Sequence, residues 1–250
     1  MSSIELKIYK NKIDLQIPEF ICDGNLNPNL IKYEMLNHMN NYCFTSVVGR
    51  PGSGKTSWVV GLLTGKKRDE NHVFRKVFNN ILLVMPSVSR ESMKKNIFKN
   101  HDEDKMYDEL DYENINDTHN KLVESTKNNE STLLIMDDIG ASLKNNEIQK
   151  KLREIIYNRR HLKCQIIILI QSLLSTPLEI RKMISNIVLF KPSKVEFENI
   201  CHEILQLPKD TALDLMNYAF IDKHDYLFIN EPSQKIYNKN FDEIIIKSKV

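Results

Sequence analysis

Residues 49–56 read Gly49-Arg-Pro-Gly-Ser-Gly-Lys-Thr56 and fit the pattern GxxxxGK[ST] at every fixed position. Polyphosphate is bound by several converging backbone N–H groups, and glycines let a loop approach it without Cβ clashes. The apolar run 44–48 precedes the stretch, and a helical apolar pattern follows it from Ser57. This strand–loop–helix context is the one that the pattern requires, and it predicts a phosphate-binding loop.

The whole loop is predicted to surround a nucleotide. The expected contacts are Gly49, Arg50, Pro51, Gly52, Ser53, Gly54, Lys55, Thr56 and Ser57. Lys55 can reach the β and γ phosphates, and the positive end of the following helix adds to the attraction. The Thr56 hydroxyl is a predicted ligand of Mg²⁺. ATP and Mg²⁺ are therefore the expected cofactors.

A second motif places two carboxylates directly after the apolar run 133–136. A buried strand delivers side chains rigidly at its carboxyl end, beside the phosphate loop in folds of this class. We expect Asp137 to hold Mg²⁺ and Asp138 to polarise the attacking water, a task usually given to Glu in enzymes with this kind of loop. The alternative is a strand that ends in a solvated acidic turn.

Further catalytic candidates follow the acid pair along the chain. Gln171 comes directly after the apolar run 166–170, where it can sense the γ phosphate or simply end a strand. Arg159 and Arg160 end the next predicted helix, and we expect one of them to neutralise charge in a neighbouring subunit's site. Arg181 is a competing candidate. The structural alternative for the pair is a cation at the negative end of the helix.

The repeated alternation of apolar runs and helical patterns predicts an α/β fold. A mostly parallel sheet covered by helices on both faces suits strands that are apolar throughout. The predicted strands are 44–48, 81–85, 133–136, 166–170 and 187–190, and the predicted helices are 29–40, 57–64, 90–99, 117–128, 146–160, 194–205 and 209–219. We divide the chain into an N-terminal hairpin and helix (1–40), a P-loop core (41–192) and a C-terminal extension of helices and a hairpin (193–250).

Composition limits the classes of protein to which the chain can belong. Its 250 residues include 35 Lys and Arg against 33 Asp and Glu, a net charge of +2, which excludes binding of nucleic acid through bulk charge. No apolar run reaches the roughly 18 residues of a membrane span, and the N-terminus lacks a signal-peptide core. Cys22, Cys43, Cys164 and Cys201 lack metal-site spacing, so reduced thiols are expected. The acidic segment 101–114 is interpreted as surface.

Two other classes of phosphate-binding enzyme fit less well. Residues 137–140 match DxxG and residues 11–14 match NKxD, the pair expected of a GTPase. The NKxD motif should follow the acid motif on a late strand, whereas here it precedes the phosphate loop. A small-molecule kinase would need a lid segment carrying arginine, and none is visible in the sequence.

The assembled motifs resemble those of the poxvirus-type virion DNA-packaging ATPases, the compact branch of the FtsK–HerA superfamily found in large DNA viruses and virophages. The resemblance covers roughly residues 44–205. It is carried by VVGRPGSGKTS, ILLVMPS, LLIMDDIG, NRRHLKCQIIILIQS and LEIRKMISNIVLF. One departure is that Ser172-Leu-Leu-Ser-Thr-Pro177 follows Gln171, where FtsK-like translocases commonly have Arg-Pro.

The resemblance implies a RecA-like P-loop NTPase assembled as a homo-oligomeric ring, a hexamer or a pentamer. Such a ring would hydrolyse ATP to drive double-stranded DNA, whatever its sequence, into a preformed capsid. The implied partner is a viral capsid or vertex protein, and the implied place is the host cytoplasm at viral factories or the virion itself. The alternative is a nucleotide-gated assembly or adaptor protein of the virion without sustained ATP turnover.

Overall fold

A computed structural model describes residues 26–27, 33–64, 74–93 and 96–246 of the chain. The predicted N-terminal hairpin, the NKxD motif and Cys22 lie outside these ranges. The helices are α1 (Glu34–Asn37), α2 (Lys55–Thr64), α3 (Ser87–Glu91), α4 (Tyr112–Lys127), α5 (Asn146–Asn158), α6 (Leu178–Arg181), α7 (Lys194–Ile204) and α8 (Lys209–Ala219). The strands are β1 (Phe44–Val48), β2 (Asn80–Val84), β3 (Met106–Tyr107), β4 (Thr132–Asp137), β5 (Cys164–Ile170), β6 (Asn186–Phe190), β7 (Tyr226–Asn230) and β8 (Lys235–Tyr237).

The described strands form one eight-stranded sheet in the order β3-β2-β4-β5-β1-β6-β7-β8. Strands β1 to β6 pair in parallel, whereas β7 joins β6 and β8 joins β7 in antiparallel fashion. The predicted α/β class with a mostly parallel sheet is confirmed. Because β5 lies between β1 and β4, the strand of the phosphate loop and the strand of the acid motif are not direct neighbours.

Apolar side chains fill both faces of the sheet, and most residues of its central strands are apolar. Along β5, Ile166, Ile168 and Ile170 pack into one hydrophobic cluster, and Ile167 and Leu169 pack into the other. Successive side chains of a strand point to opposite faces, so a strand covered on both sides must be apolar throughout. The first cluster includes buried residues of α4, α5, α7 and α8, and the second includes those of α1 and α2.

A buried polar network closes the amino-terminal edge of the parallel strands. Gln165, which is fully buried, accepts a hydrogen bond from the Cys43 backbone N–H at 2.9 Å and donates to Cys43 Sγ at 2.9 Å. Asn186 Nδ2 also donates to Cys43 Sγ, at 3.2 Å. Burial raises the pKa of the Cys43 thiol. The cysteines among the described residues are free and buried, as predicted for reduced thiols.

One local prediction was wrong and another was incomplete. The helix expected over residues 90–99 is only the short α3, which begins after Pro86. Asn96 Oδ1 accepts from the Phe98 backbone N–H at 2.9 Å, a local turn that competes with helical hydrogen bonds. The acidic segment 101–114 is largely exposed, yet it contributes β3, which pairs with β2 at the edge of the sheet.

Candidate nucleotide-binding site

The predicted phosphate loop joins β1 to α2 at the carboxyl edge of the sheet. Gly52 and Gly54 have φ angles of +73° and +112°, which side chains other than glycine rarely tolerate. A Cβ on Gly49 would lie 2.5 Å from Ser53 Oγ and 2.8 Å from Phe190 Cβ. Each glycine of the motif is therefore required by backbone conformation or by space. Along the same loop Arg50, Pro51 and Ser57 are exposed.

The Lys55 side chain folds back into the loop that precedes it. Its Nζ donates to the Gly49 carbonyl at 2.6 Å and to the Arg50 carbonyl at 3.3 Å. Burial lowers the pKa of Lys55, and the carboxylates of Asp137 and Asp138 oppose that shift. The arrangement holds a cation where a phosphate oxygen can replace the two carbonyl acceptors.

The Thr56 hydroxyl donates to Asp137 Oδ2 at 3.3 Å, so the two predicted metal ligands are already in contact. The bond connects the start of α2 with the end of β4, although β5 separates β4 from β1. Burial raises the pKa of Asp137, and the Lys55 ammonium acts in the opposite direction. A hydroxyl and a half-buried carboxylate are hard oxygen donors of the kind that Mg²⁺ prefers, so these residues fit the ion.

Asp138 has a left-handed backbone with a φ of +57° and an exposed side chain. Aspartate is among the few residues other than glycine that adopt this conformation readily. Its backbone N–H donates to the Leu169 carbonyl at 3.3 Å, which extends the pairing of β4 with β5 by one residue. The carboxylate is thus held beside Asp137 and open to water, as a water-activating group needs to be.

Gln171 lies at the same edge of the sheet, between the phosphate loop and the acid pair. It follows Ile170, which is paired with Val48 of β1, while Leu169 is paired with Asp137 of β4. The Gln171 side chain is exposed. The fold therefore brings Lys55, Thr56, Asp137, Asp138 and Gln171 to one edge.

Arg159 and Arg160 lie at the opposite edge of the sheet, between the end of α5 and the start of β5. The seven residues of β5 span roughly 23 Å, so neither arginine reaches the phosphate loop of its own chain. Both line a polar pocket of about 490 Å³ with His38, Tyr42 and Ser185 among its walls. Burial lowers the pKa of Arg159.

The competing arginine, Arg181, is held in an ion pair. Its Nε lies 2.7 Å from Glu203 Oε1, and its Nη1 donates to the carbonyls of Leu174 at 3.1 Å and Thr176 at 3.2 Å. These contacts brace the chain that follows Gln171. They give Arg181 a structural task in this chain.

Two residues at the phosphate loop were not predicted from the sequence. Phe190, the last residue of β6, packs against Gly49 and Gly54, where a Cβ on Gly54 would lie 3.3 Å from Phe190 Cε1. His224 Nδ1 donates to the Ser53 carbonyl at 2.9 Å, across a separation of 171 residues. Neither residue belongs to a motif. A signal for Phe190 was its place at the end of a strand beside the loop.

Comparison of the sequence with protein-family models identifies one family. The family model described as "Poxvirus A32 protein" matches residues 31–233, which include the loop, the acid pair, Gln171 and both arginines. The chain belongs to the Poxvirus A32 protein family. The family expected from the sequence motifs is confirmed. A comparison with curated protein sequences finds no match.

Solved structures similar to this A32-family chain share its fold. The genome packaging NTPase B204 from Sulfolobus turreted icosahedral virus 2, in complex with AMPPCP, has a TM-score of 0.58 at 15% sequence identity, covering 82% of this chain and 98% of that one. B204, the DNA-packaging ATPase from Sulfolobus turreted icosahedral virus, has a TM-score of 0.56 at 16% identity, with the same coverage of both chains. The likeness supports the P-loop NTPase fold.

Among the described helices of the A32-family chain, none is both long and apolar enough to cross a membrane.

Proposed function

We propose that this chain is an ATP-driven translocase that packages double-stranded viral DNA into preformed capsids. The observation that carries the proposal is the convergence of the phosphate loop, Thr56 and Asp137 at one edge of the sheet, with Thr56 Oγ1 3.3 Å from Asp137 Oδ2. Membership of the A32 family and the fold shared with viral packaging NTPases support the same function. Its expected place of action is the viral factory in the host cytoplasm or the virion.

The proposed mechanism assigns one task to each part of the site. Backbone N–H groups of the loop from Gly49 to Ser57 bind the phosphates, and Lys55 exchanges its carbonyl acceptors for phosphate oxygens. Thr56 and Asp137 would hold Mg²⁺, which neutralises charge on the phosphates when bound. Asp138 orients the attacking water and accepts its proton.

Gln171 would report the state of the site to the rest of the subunit. It follows β5, the strand that pairs with both β1 and β4, so it is adjacent to the loop and to the acids. An amide at this position can hydrogen bond to a γ phosphate or to the attacking water. Loss of phosphate after hydrolysis would remove that partner.

A ring would bring Arg159 or Arg160 of one subunit to the nucleotide site of the next. Arg159 and Arg160 lie at the edge of the sheet opposite the phosphate loop. In a head-to-tail ring, unlike surfaces of neighbouring subunits face each other, and rotation closes the assembly. We therefore propose that one of the two arginines enters the next subunit's nucleotide site.

Contacts with DNA would come from loops at the carboxyl edge of the sheet. The segment 140–146 follows the acid pair and presents the exposed Lys144. The segment 172–177 follows Gln171 and is held by Glu196, which accepts from Ser172 Oγ at 2.6 Å and from the Leu173 backbone N–H at 3.2 Å. Both loops are attached to catalytic candidates, so movement at the site can reach the DNA.

The proposed activity is tested by measuring ATP hydrolysis by the assembled protein with and without duplex DNA. Phosphate contacts predict stimulation that is independent of DNA sequence and that declines as salt is raised. Hydrolysis indifferent to duplex DNA at low salt would exclude the motor function.

Two variants separate a motor from a nucleotide-gated adaptor. Lys55→Ala should abolish ATP binding, whereas Asp138→Asn should bind ATP without hydrolysing it. A motor loses translocation with either change. Packaging that survives Asp138→Asn would instead favour the adaptor.

A further inference from the structure

Two residues from distant parts of the chain contact the outer side of the phosphate loop. Phe190 packs against it from the end of β6, and His224 contacts it from the segment between α8 and β7. A Cβ placed on Gly54 would lie 3.3 Å from Phe190 Cε1 and 3.4 Å from His224 Nδ1. Phe190 and His224 thus both border the space into which a side chain at position 54 would extend.

Hydrogen bonds and an ion pair hold the segment 220–225, which carries His224. Asp225 is buried, and its Oδ2 accepts from the backbone N–H groups of Ile221 at 3.0 Å and Asp222 at 2.6 Å. Lys239 Nζ lies 2.5 Å from Asp225 Oδ1, and Lys191 Nζ donates to the Phe220 carbonyl at 3.2 Å. These contacts fix the position from which the imidazole reaches the loop.

The bond from His224 acts on one particular peptide unit. A carbonyl can only accept, so Nδ1 carries the proton and donates to the Ser53 carbonyl at 2.9 Å. The Ser53 carbonyl and the Gly54 N–H belong to the same planar trans peptide and point in opposite directions. Holding the carbonyl outward therefore holds the Gly54 N–H inward, toward the space that phosphate would occupy.

Among the described residues, His224 makes the one hydrogen bond to this peptide unit, because the Gly54 N–H has no acceptor. Glycine rotates about its backbone more freely than other residues, and Gly54 has a φ of +112°. Ser53 Oγ is buried without a hydrogen-bond partner among the described residues, so the serine side chain does not anchor the unit. A turned peptide would direct a carbonyl oxygen, instead of a donor, at the phosphates.

We propose that His224 is a positioning residue of the phosphate loop, which keeps the Ser53–Gly54 peptide in the orientation that binds phosphate. The proposal rests on the proposed ATP binding. It makes nucleotide affinity depend on the segment 220–225, which belongs to the C-terminal part of the chain. No contact between His224 and the nucleotide is needed for this effect.

The test uses a pair of nearly isosteric substitutions in the full chain. In His224→Asn the amide nitrogen takes the place of Nδ1 and can donate to Ser53, whereas His224→Leu has no donor. We expect His224→Leu to weaken binding of MgATPγS about five-fold, the loss of one hydrogen bond worth about 1 kcal/mol. KM for ATP should rise by a similar factor with kcat changed less than about two-fold. His224→Asn should stay within about two-fold of the unsubstituted protein in both measurements.

The control is His202→Leu, an exposed histidine on α7 that should leave nucleotide binding unchanged. Equal effects of the leucine and asparagine substitutions, or unchanged affinity in both, would overturn the proposal. A merely structural role predicts a lower melting temperature with unaltered affinity for the folded protein. If the unsubstituted protein itself failed to bind MgATPγS, the proposed function would fail as well, so the two failures are distinguishable.

Discussion

At the scale of single residues, the site is preformed around charges that balance one another. Lys55 is bound to loop carbonyls, Thr56 is bound to Asp137, and Asp138 is exposed beside them. Burial lowers the pKa of Lys55 and raises the pKa of Asp137, so it favours the neutral form of both groups. The charge of each group opposes the shift of the other. A bound nucleotide with its metal ion would add both a partner for the ammonium and a partner for the carboxylate.

Replacing Thr56 with valine should impair metal use while it preserves the shape of the side chain. The hydroxyl is a proposed ligand, and loss of groups that bind or orient a metal ion typically costs 10- to 100-fold in affinity. We expect the Mg²⁺ concentration for half-maximal ATP hydrolysis to rise by about that factor. Thr56→Ser keeps the hydroxyl and should remain close to the unsubstituted protein. A normal Mg²⁺ requirement in Thr56→Val would contradict the assignment.

Asp137 should make the stability of the nucleotide-free protein depend on pH. Its pKa is raised in the folded state, so its favourable contribution is complete below the ordinary carboxyl pKa of about 4 and is lost as pH rises through the folded pKa. Asp137→Asn cannot ionise, and we therefore expect its melting temperature at pH 7 to exceed that of the unsubstituted protein.

Thermal unfolding at a series of pH values without Mg²⁺ or nucleotide measures this effect. The difference in melting temperature should shrink toward pH 4. Asp138→Asn, at an exposed position, is the control and should change the melting temperature little. A constant difference over the whole pH range would show that ionisation of Asp137 is not its cause.

Among the secondary-structure elements, β5 has a polar side chain at or next to each of its ends. Its carboxyl end leads to Gln171, and its amino end carries Gln165, the buried amide that binds Cys43 at the start of β1. A polar side chain is stable inside a sheet only when its hydrogen bonds are satisfied. Gln165 satisfies both its oxygen and its nitrogen through Cys43.

Gln165→Ala should therefore destabilise the fold by about 1–3 kcal/mol, because the Cys43 N–H would be left buried without an acceptor. The free energy of unfolding in urea is the measurement. Asn120→Ala, an amide truncation on the exposed surface of α4, should change that free energy by less than about 0.5 kcal/mol. Similar effects of the two substitutions would argue against the role of the network.

The elements that could be predicted from the sequence are those with a local signal. β1 was predicted with the bounds that it has, because an apolar run ended at the loop glycine. β3 was missed because two residues in an acidic segment show no periodicity. His224 could not be found, since its partner at the loop is 171 residues away and only the folded sheet brings them together. The predicted catalytic roles of Gln171, Arg159 and Arg160 stay predictions.

At the scale of the whole molecule, the nucleotide site and the two arginines occupy opposite edges of one sheet. A monomer built in this way is incomplete as an ATPase if hydrolysis requires Arg159 or Arg160. An assembly in which each edge meets the opposite edge of a neighbour completes every site. The proposed activity should consequently depend on protein concentration in the range where the assembly forms.

Mixing two inactive variants tests this arrangement. Lys55→Ala retains the arginines, and Arg159→Ala or Arg160→Ala retains an intact phosphate loop. If an arginine acts between subunits, rings of equal mixture should recover up to about a quarter of the full hydrolysis rate, since half of the loops are intact and half of their neighbours carry the arginine. If mixing an arginine variant with Lys55→Ala restores no ATP hydrolysis, that arginine does not act in a neighbouring subunit's site.

The position of β5 also limits how such a machine can move. All five residues of β1 pair with β5, and all six of β4 do as well, so the walls of the nucleotide site are spaced by a continuous ladder of backbone hydrogen bonds. That ladder fixes the distance between β1 and β4, because moving them apart would require breaking their hydrogen bonds with β5. In the proposed motor, a power stroke would therefore come from the loops beyond the strands or from the tilting of whole subunits against one another.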